Sequence, residues 1–90
     1  MAGIDDFPIL DLIEYYVLLR ADYHTGIVLD PDLKAVKSVY QEKFSVFKTK
    51  QEARKFAEEL IRKNNSVECV IYDKQQKVIL YLNNENLSSG

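Results

Sequence analysis

The stretch that decides the fold is residues 49–63, TKQEARKFAEELIRK. Its apolar residues recur at intervals of three and four, which places them on one side of a helix: Ala53, Phe56, Ala57, Leu60 and Ile61. Thr49 is a good N-cap, and Glu52 three residues later completes a capping box. The following pair Asn64-Asn65 favours a left-handed cap. The sequence therefore predicts an amphipathic helix over about residues 50–63.

Two strands joined by a polar turn are predicted after this helix. Residues 67–72 (VECVIY) and 78–82 (VILYL) are rich in β-branched and aromatic side chains, and residues 73–77 (DKQQK) form the turn. Both alternating sets of positions in these strands contain apolar residues. One face of the hairpin therefore packs on the helix. The other face needs a different cover: another helix, the N-terminal segment or another subunit.

Three further strands are predicted before the helix, over residues 14–21, 27–29 and 43–48. Residues 8–16 also fit a helical stripe that begins at Pro8, but we favour a short turn at 8–12 followed by a strand. Residues 30–42 are compatible with a helix or a strand. Asp30-Pro31-Asp32 is a good helix start, so we favour a short helix there.

These elements predict an α+β fold with the order β-β-(α)-β-α-β-β. The sheet is small and mainly antiparallel, with about five strands, and the one long amphipathic helix packs on one face. Ninety residues form a single domain with an ordered core at about residues 8–82. Residues 1–6 and 83–90 show no hydrophobic period, so we expect flexible tails.

Residues 43–82 resemble a family of short bacterial proteins known as a domain of unknown function. The matching pattern is an aromatic strand, the motif Thr49-x-x-Glu52-Ala53-x-x-x-Ala57 that opens a helix, and two strands around a polar turn. The family usually has Asp-Gly or a similar tight turn between its last strands, where this chain has Gln75-Gln76. The resemblance covers under half of the chain and implies a structure, but no catalytic residue.

Composition excludes several classes of protein. Hydrophobic residues make up 47% and charged residues 29%, as in an ordinary soluble domain. No apolar run approaches the roughly 20 residues that span a bilayer, so we expect no membrane partner. The single cysteine, Cys69, fits a reducing compartment. The N-terminus lacks the basic segment of a signal peptide. We therefore expect a cytoplasmic protein.

The net charge of −2 is a cancellation between segments. Residues 1–33 have a net charge of −6, residues 34–63 of +5 and residues 64–90 of −1. One interpretation is that the acidic segment lies near the basic one and neutralises it. The other is an exposed basic face for an anionic partner. The candidate contacts for an anion or a nucleic acid are Lys48, Lys50, Arg54, Lys55 and Arg62.

The sequence contains little catalytic chemistry. His24 is the only histidine and lies in a predicted turn, and Cys69 alternates with buried positions of a strand. No phosphate-binding glycine loop, nucleophile elbow or Cys-x-x-Cys pair is present. We therefore expect no catalytic residue, cofactor or metal.

The sequence favours a non-catalytic interaction or regulatory module that binds a protein partner or self-associates as a homodimer. Its motivation is a sheet with two apolar faces in a short chain. The alternative is a nucleic-acid-binding protein that uses the basic segment 34–63. An enzyme built on carboxylates or lysines is the third hypothesis.

Overall fold

Five antiparallel strands and one long helix make up the fold in the computed structural model, which describes residues 7–38 and 41–89. A short second helix follows the last strand. In chain order the elements are β1 (Tyr16–Asp22), β2 (Val28–Leu29), β3 (Phe44–Phe47), α1 (Lys50–Lys63), β4 (Val67–Asp73), β5 (Val78–Leu82) and α2 (Asn84–Ser89). The predicted α+β class, with an antiparallel sheet of about five strands, is confirmed.

Strand β1 lies at the centre of the open sheet, whose order is β2-β1-β4-β5. Strand β4 pairs with β1 along its whole length. The other edge of β1 is shared by two short strands: its first four residues pair with β3, and Arg20 and Ala21 pair with β2. Because facing residues in this register share a side of the sheet, the pairing fixes which side chains lie together.

Helix α1 packs on one face of the sheet through its small and branched residues. Ala53, Ala57 and Ile61 are fully buried and join the core with Leu18 and Cys69. The predicted capping box is confirmed, since the Glu52 amide donates to the Thr49 hydroxyl at 3.1 Å and the Glu52 carboxylate accepts from the Thr49 amide at 3.2 Å. The sequence correctly predicts this helix because its signals are local.

The predicted left-handed cap at the end of α1 is wrong. Asn64 is extended, with φ −140° and ψ 90°, and its amide donates to the carbonyls of Leu60 and Ile61. Strand β4 begins only three residues later, and the Val67 amide donates to the Asn64 carbonyl at 3.0 Å. This immediate entry into β4 requires an extended residue at the helix end.

The short helix predicted within residues 30–42 is also wrong in the described part of that range, 30–38 and 41–42. Residues 31–33 form a turn in which Leu33 has φ 64°, and Ala35 makes an isolated bridge to Leu29. The Asp30 carboxylate accepts from the amides of Asp32 and Lys34, at 2.9 and 3.0 Å. An aspartate before proline can cap such a turn as well as a helix, and here Leu33 turns inward to pack on the core.

The two ends of the chain differ from the prediction in different ways. Helix α2 stands where the sequence predicts a flexible tail over 83–90. Asn83 and Asn86 cap it reciprocally through two 2.9 Å bonds, and Leu87 packs against the core. The predicted tail at 1–6 lies outside the described residues. At the start of the described chain, the strand favoured over a helix is confirmed, with β1 beginning at Tyr16.

Candidate interaction surface

The sheet has two apolar faces, and α1 covers only one of them. Leu18 of β1, and Cys69 and Ile71 of β4, point towards the helix and are fully buried. Their neighbours along the two strands point the opposite way, because side chains alternate along a strand. Val17 and Tyr72 belong to this second face and to a separate apolar cluster. The sheet therefore has two cores of unequal size.

One end of the second face is covered by the N-terminal segment. The Phe7 ring packs edge-on against the rings of Phe44 and Tyr72, with centroids 5.8 and 5.9 Å apart. Tyr15 is buried beside it, and its hydroxyl donates to the Pro8 carbonyl at 3.0 Å. Phe7 and Tyr15 thus anchor the two ends of a loop, residues 8–14, which we call the arm. The N-terminal segment is one of the three covers predicted for the second face.

The rest of the second face has no cover within the described residues. Its side chains follow from the strand registers. Val78 is 55% exposed and Tyr81 is 42% exposed. We call this surface the open face. Its apolar members are Leu19, Ala21, Val28, Val46, Val70, Val78 and Tyr81. Glu68 also lies on it, opposite Ala21, and its carboxylate accepts from the Tyr81 hydroxyl. Such an apolar surface, next to a second apolar cluster, is a typical docking site.

The arm presents large aliphatic side chains to solvent. Ile9 is 87% exposed and Ile13 is 91% exposed, and Leu10 and Leu12 are also exposed. The arm is nevertheless held in place by backbone contacts. The Leu10 amide donates to the Tyr15 hydroxyl at 3.4 Å, and the Lys74 ammonium donates to the Ile13 carbonyl. The exposed apolar side chains are therefore displayed by an anchored loop.

The five predicted basic contacts lie away from the open face. Lys50, Arg54, Lys55 and Arg62 are exposed on α1, and Lys48 is exposed between β3 and α1. Acids interleave with these cations on α1: Glu52, Glu58 and Glu59. The Arg54 Nε lies 3.0 Å from the Glu58 carboxylate. The structure therefore brings four of the predicted residues onto one helix, but in a surface of mixed charge.

The interpretation that the acidic segment neutralises the basic one finds no support at α1. Among the described residues, the ion pair within 4 Å that involves a cation of α1 is Arg54 with Glu58, inside the helix itself. The acidic segment supplies the central strand and the arm on the other side of the sheet. The five cations of α1 are thus only partly balanced by its three glutamates.

His24 and Cys69 occupy the positions expected of structural residues. His24 is exposed in the turn after β1, where its amide donates to the Asp22 carboxylate at 2.9 Å. Cys69 is fully buried, and desolvation raises the pKa of its thiol to about 12. A thiol with so high a pKa is almost entirely protonated at neutral pH, so it is a poor nucleophile.

Arg20 is a buried charge that was not predicted from the sequence. Its guanidinium donates to the Asp30 carbonyl at 3.2 Å, the Ser45 hydroxyl at 2.6 Å and the Lys43 carbonyl at 3.3 Å. Desolvation lowers the pKa of Arg20. These bonds tie β1 to β3 and to the segment between β2 and β3. The alternation of β1 could have revealed it, because Arg20 shares a face with Leu18.

Within residues 7–38 and 41–89, no three His, Cys, Asp or Glu side chains lie close enough to hold a metal ion. None of the helices in the same residues has the length and apolar character that crossing a bilayer requires. No family model, curated protein or solved structure matches the chain. The resemblance of residues 43–82 to a family of short bacterial proteins therefore stays a prediction.

Proposed function

We propose that this protein is a non-catalytic interaction module whose binding surface is the open face together with the arm. The observation that supports the proposal most directly is the unequal cover of the sheet, since α1 buries one apolar face and Phe7 covers only one end of the other. Burial of apolar surface is the main driving force of protein association. A partner on the open face would complete the second core.

The surroundings of the chemically reactive side chains support a non-catalytic role. A general base or nucleophile needs partners that converge on a reacting atom. His24 is exposed in a turn, and the Cys69 thiol is buried with its pKa raised to about 12. The buried Arg20 guanidinium donates hydrogen bonds to β3 and to the segment before it. These residues stabilise the fold at separate places.

Charge substitutions on the open face test the proposal. Val46→Glu and Val78→Glu place a carboxylate at exposed positions on two edges of the face, and Ile27→Glu, beside β2, is the matched control. Each full-length variant is immobilised and exposed to the same chain or to a cell lysate. We expect wild type and the Ile27 variant to retain a partner that both face variants lose. Identical retention by all four proteins would contradict the proposal.

Nucleic-acid binding is the second candidate, and the shared exposed surface of Lys50, Arg54, Lys55 and Arg62 on α1 favours it. It predicts a gel shift of a labelled oligonucleotide that weakens as salt rises. Arg54→Glu or Lys55→Glu would weaken the shift, whereas Lys77→Glu, before β5, would not. The absence of a shift at low salt would reject this candidate.

A further inference from the structure

We infer that the partner of the open face is a second copy of this chain, in a two-fold dimer in which the arm of each copy lies on the open face of the other. This inference rests on the proposed function and names its partner. Three features of the described residues lead to it: the shape of the second face, the apolar area that it exposes, and sheet edges that are poorly suited to pairing with another chain.

The second face has a raised half and a bare half. Phe7 and Tyr15 anchor the arm on the half that contains Val17, Phe44 and Tyr72, and this half is therefore raised. Val78 and Tyr81 form the bare half: they lie on the edge strand β5, one strand beyond Tyr72, and are 55% and 42% exposed. A two-fold axis between the halves would place each raised half over the bare half of the other copy. The surface is thus self-complementary, as a symmetric dimer requires.

The exposed apolar area is close to what one side of a stable interface buries. An unfolded chain exposes about 1.45 Å² per dalton. On that scale the exposed apolar residues of the arm and the open face present about 700 Å². The residues counted are Ile9, Leu10, Leu12, Ile13, Val46, Val78 and Tyr81. A standard interface buries about 800 Å² on each partner, so a second copy of this surface is a partner of matching size.

The sheet edges are poorly suited to joining two copies by strand pairing. Bulges and lysines protect edge strands from pairing with other chains. The pairing of β5 with β4 is irregular between Ile71 and Tyr72, and the Tyr81 carbonyl already accepts from the Asn86 side chain at 2.9 Å. At the opposite edge, β3 has four residues with Lys43 and Lys48 directly beside its ends. The faces, and not the edges, are therefore the surfaces left for association.

Cross-linking between two single-cysteine variants tests the arrangement. Ile9→Cys places a thiol on the arm and Tyr81→Cys places one on the bare half, while the native Cys69 is buried. With a short bismaleimide, we expect a cross-linked dimer in the mixture of the two variants and none in either variant alone. The matched control mixes Ile9→Cys with Ile27→Cys and should give none. Cross-linking of Ile9→Cys alone, without a mixed product, would overturn the reciprocal arrangement.

A second variant keeps the inference testable if Tyr81→Cys does not fold. Ile9→Asp changes a side chain that is 87% exposed, so it should fold as wild type does and be monomeric at concentrations where wild type is dimeric. A monomeric wild type overturns the dimer. If the open-face variants still lose a partner from lysate in that case, the proposed function stands. If they lose nothing, the proposed function fails as well.

Discussion

Asp30 holds together the segment between β2 and β3. One carboxylate oxygen accepts from the amides of Asp32 and Lys34, and the other accepts from the Gln41 side chain at 3.1 Å. These bonds, the Lys34 amide foremost, lower the pKa of Asp30 below its usual value of 3.8. The carboxylate therefore favours the folded state only while it is ionised.

The pH dependence of stability follows from this lowered pKa. The stabilisation by Asp30 is complete above the usual pKa of 3.8 and is lost as the pH falls through the lower folded pKa. We expect Asp30→Asn to lower the urea midpoint at pH 6 and to differ less from wild type at pH 2.5. Asp32→Asn, exposed in the same turn, is the control. An Asp30→Asn midpoint equal to that of wild type at pH 6 would contradict this role.

The Cys69 thiol should be masked in the folded protein. It is fully buried, and its pKa is raised to about 12 by desolvation. We expect no reaction with a chromogenic disulfide reagent at pH 8 until urea unfolds the chain. Ile9→Cys supplies an exposed thiol for comparison and should release one equivalent at once. Rapid release by the folded wild type would show that Cys69 is accessible.

Helix α1 and the β4–β5 hairpin could be predicted from the sequence because their signals lie within a few residues. The capping box, the spacing of Ala53 and Ala57, and the alternation of β4 each act locally. The turn at residues 31–33 could not be predicted in this way, because Asp30 has the same local preference for a turn as for a helix start. Its choice depends on Gln41, eleven residues away, and on the packing of Leu33.

The capping box of α1 sets the stability of the element that covers the first sheet face. The Thr49 hydroxyl accepts from the Glu52 amide at 3.1 Å, and removal of such an N-cap costs about 1 kcal/mol. We expect Thr49→Ala to lower the free energy of unfolding by about 1 kcal/mol in urea. Thr49→Ser keeps the hydroxyl and should lose much less. Equal losses in the two variants would argue against the cap.

The β4–β5 turn contains a residue in the left-handed region. Gln76 has φ 67°, where a side chain is disfavoured by roughly 1 kcal/mol and glycine is not. Gln76→Ala and Gln76→Gly both remove the glutamine side chain, so their difference isolates the backbone. Glycine also loses more entropy on folding, so Gln76→Gly should be more stable than Gln76→Ala by roughly 0.5 kcal/mol. Leu33→Gly has the same backbone requirement but should destabilise, since Leu33 packs on the core. A Gln76→Gly variant no more stable than Gln76→Ala would contradict this account of the turn.

At the scale of the whole molecule, the sequence predicts two apolar sheet faces, but it could not show how each is covered. The cover of the second face depends on contacts that Phe7 and Tyr15 make with Phe44 and Tyr72, which lie far from them in the sequence. For the candidate basic contacts, the sequence predicts the residues but not the mixed charge of the surface around them. The spacing of Lys50, Arg54, Lys55 and Arg62 places these four on α1, but the sequence does not show that the Glu58 carboxylate pairs with Arg54 there.

The central claim is that the open face and the arm form a docking surface for a second copy of the chain. Light scattering of the full-length protein over a range of concentrations tests it most directly. We predict that the molar mass rises towards twice the 10.4 kDa of one chain as the concentration increases, and that Ile9→Asp stays at 10.4 kDa. A wild-type mass of 10.4 kDa at every concentration would contradict the claim.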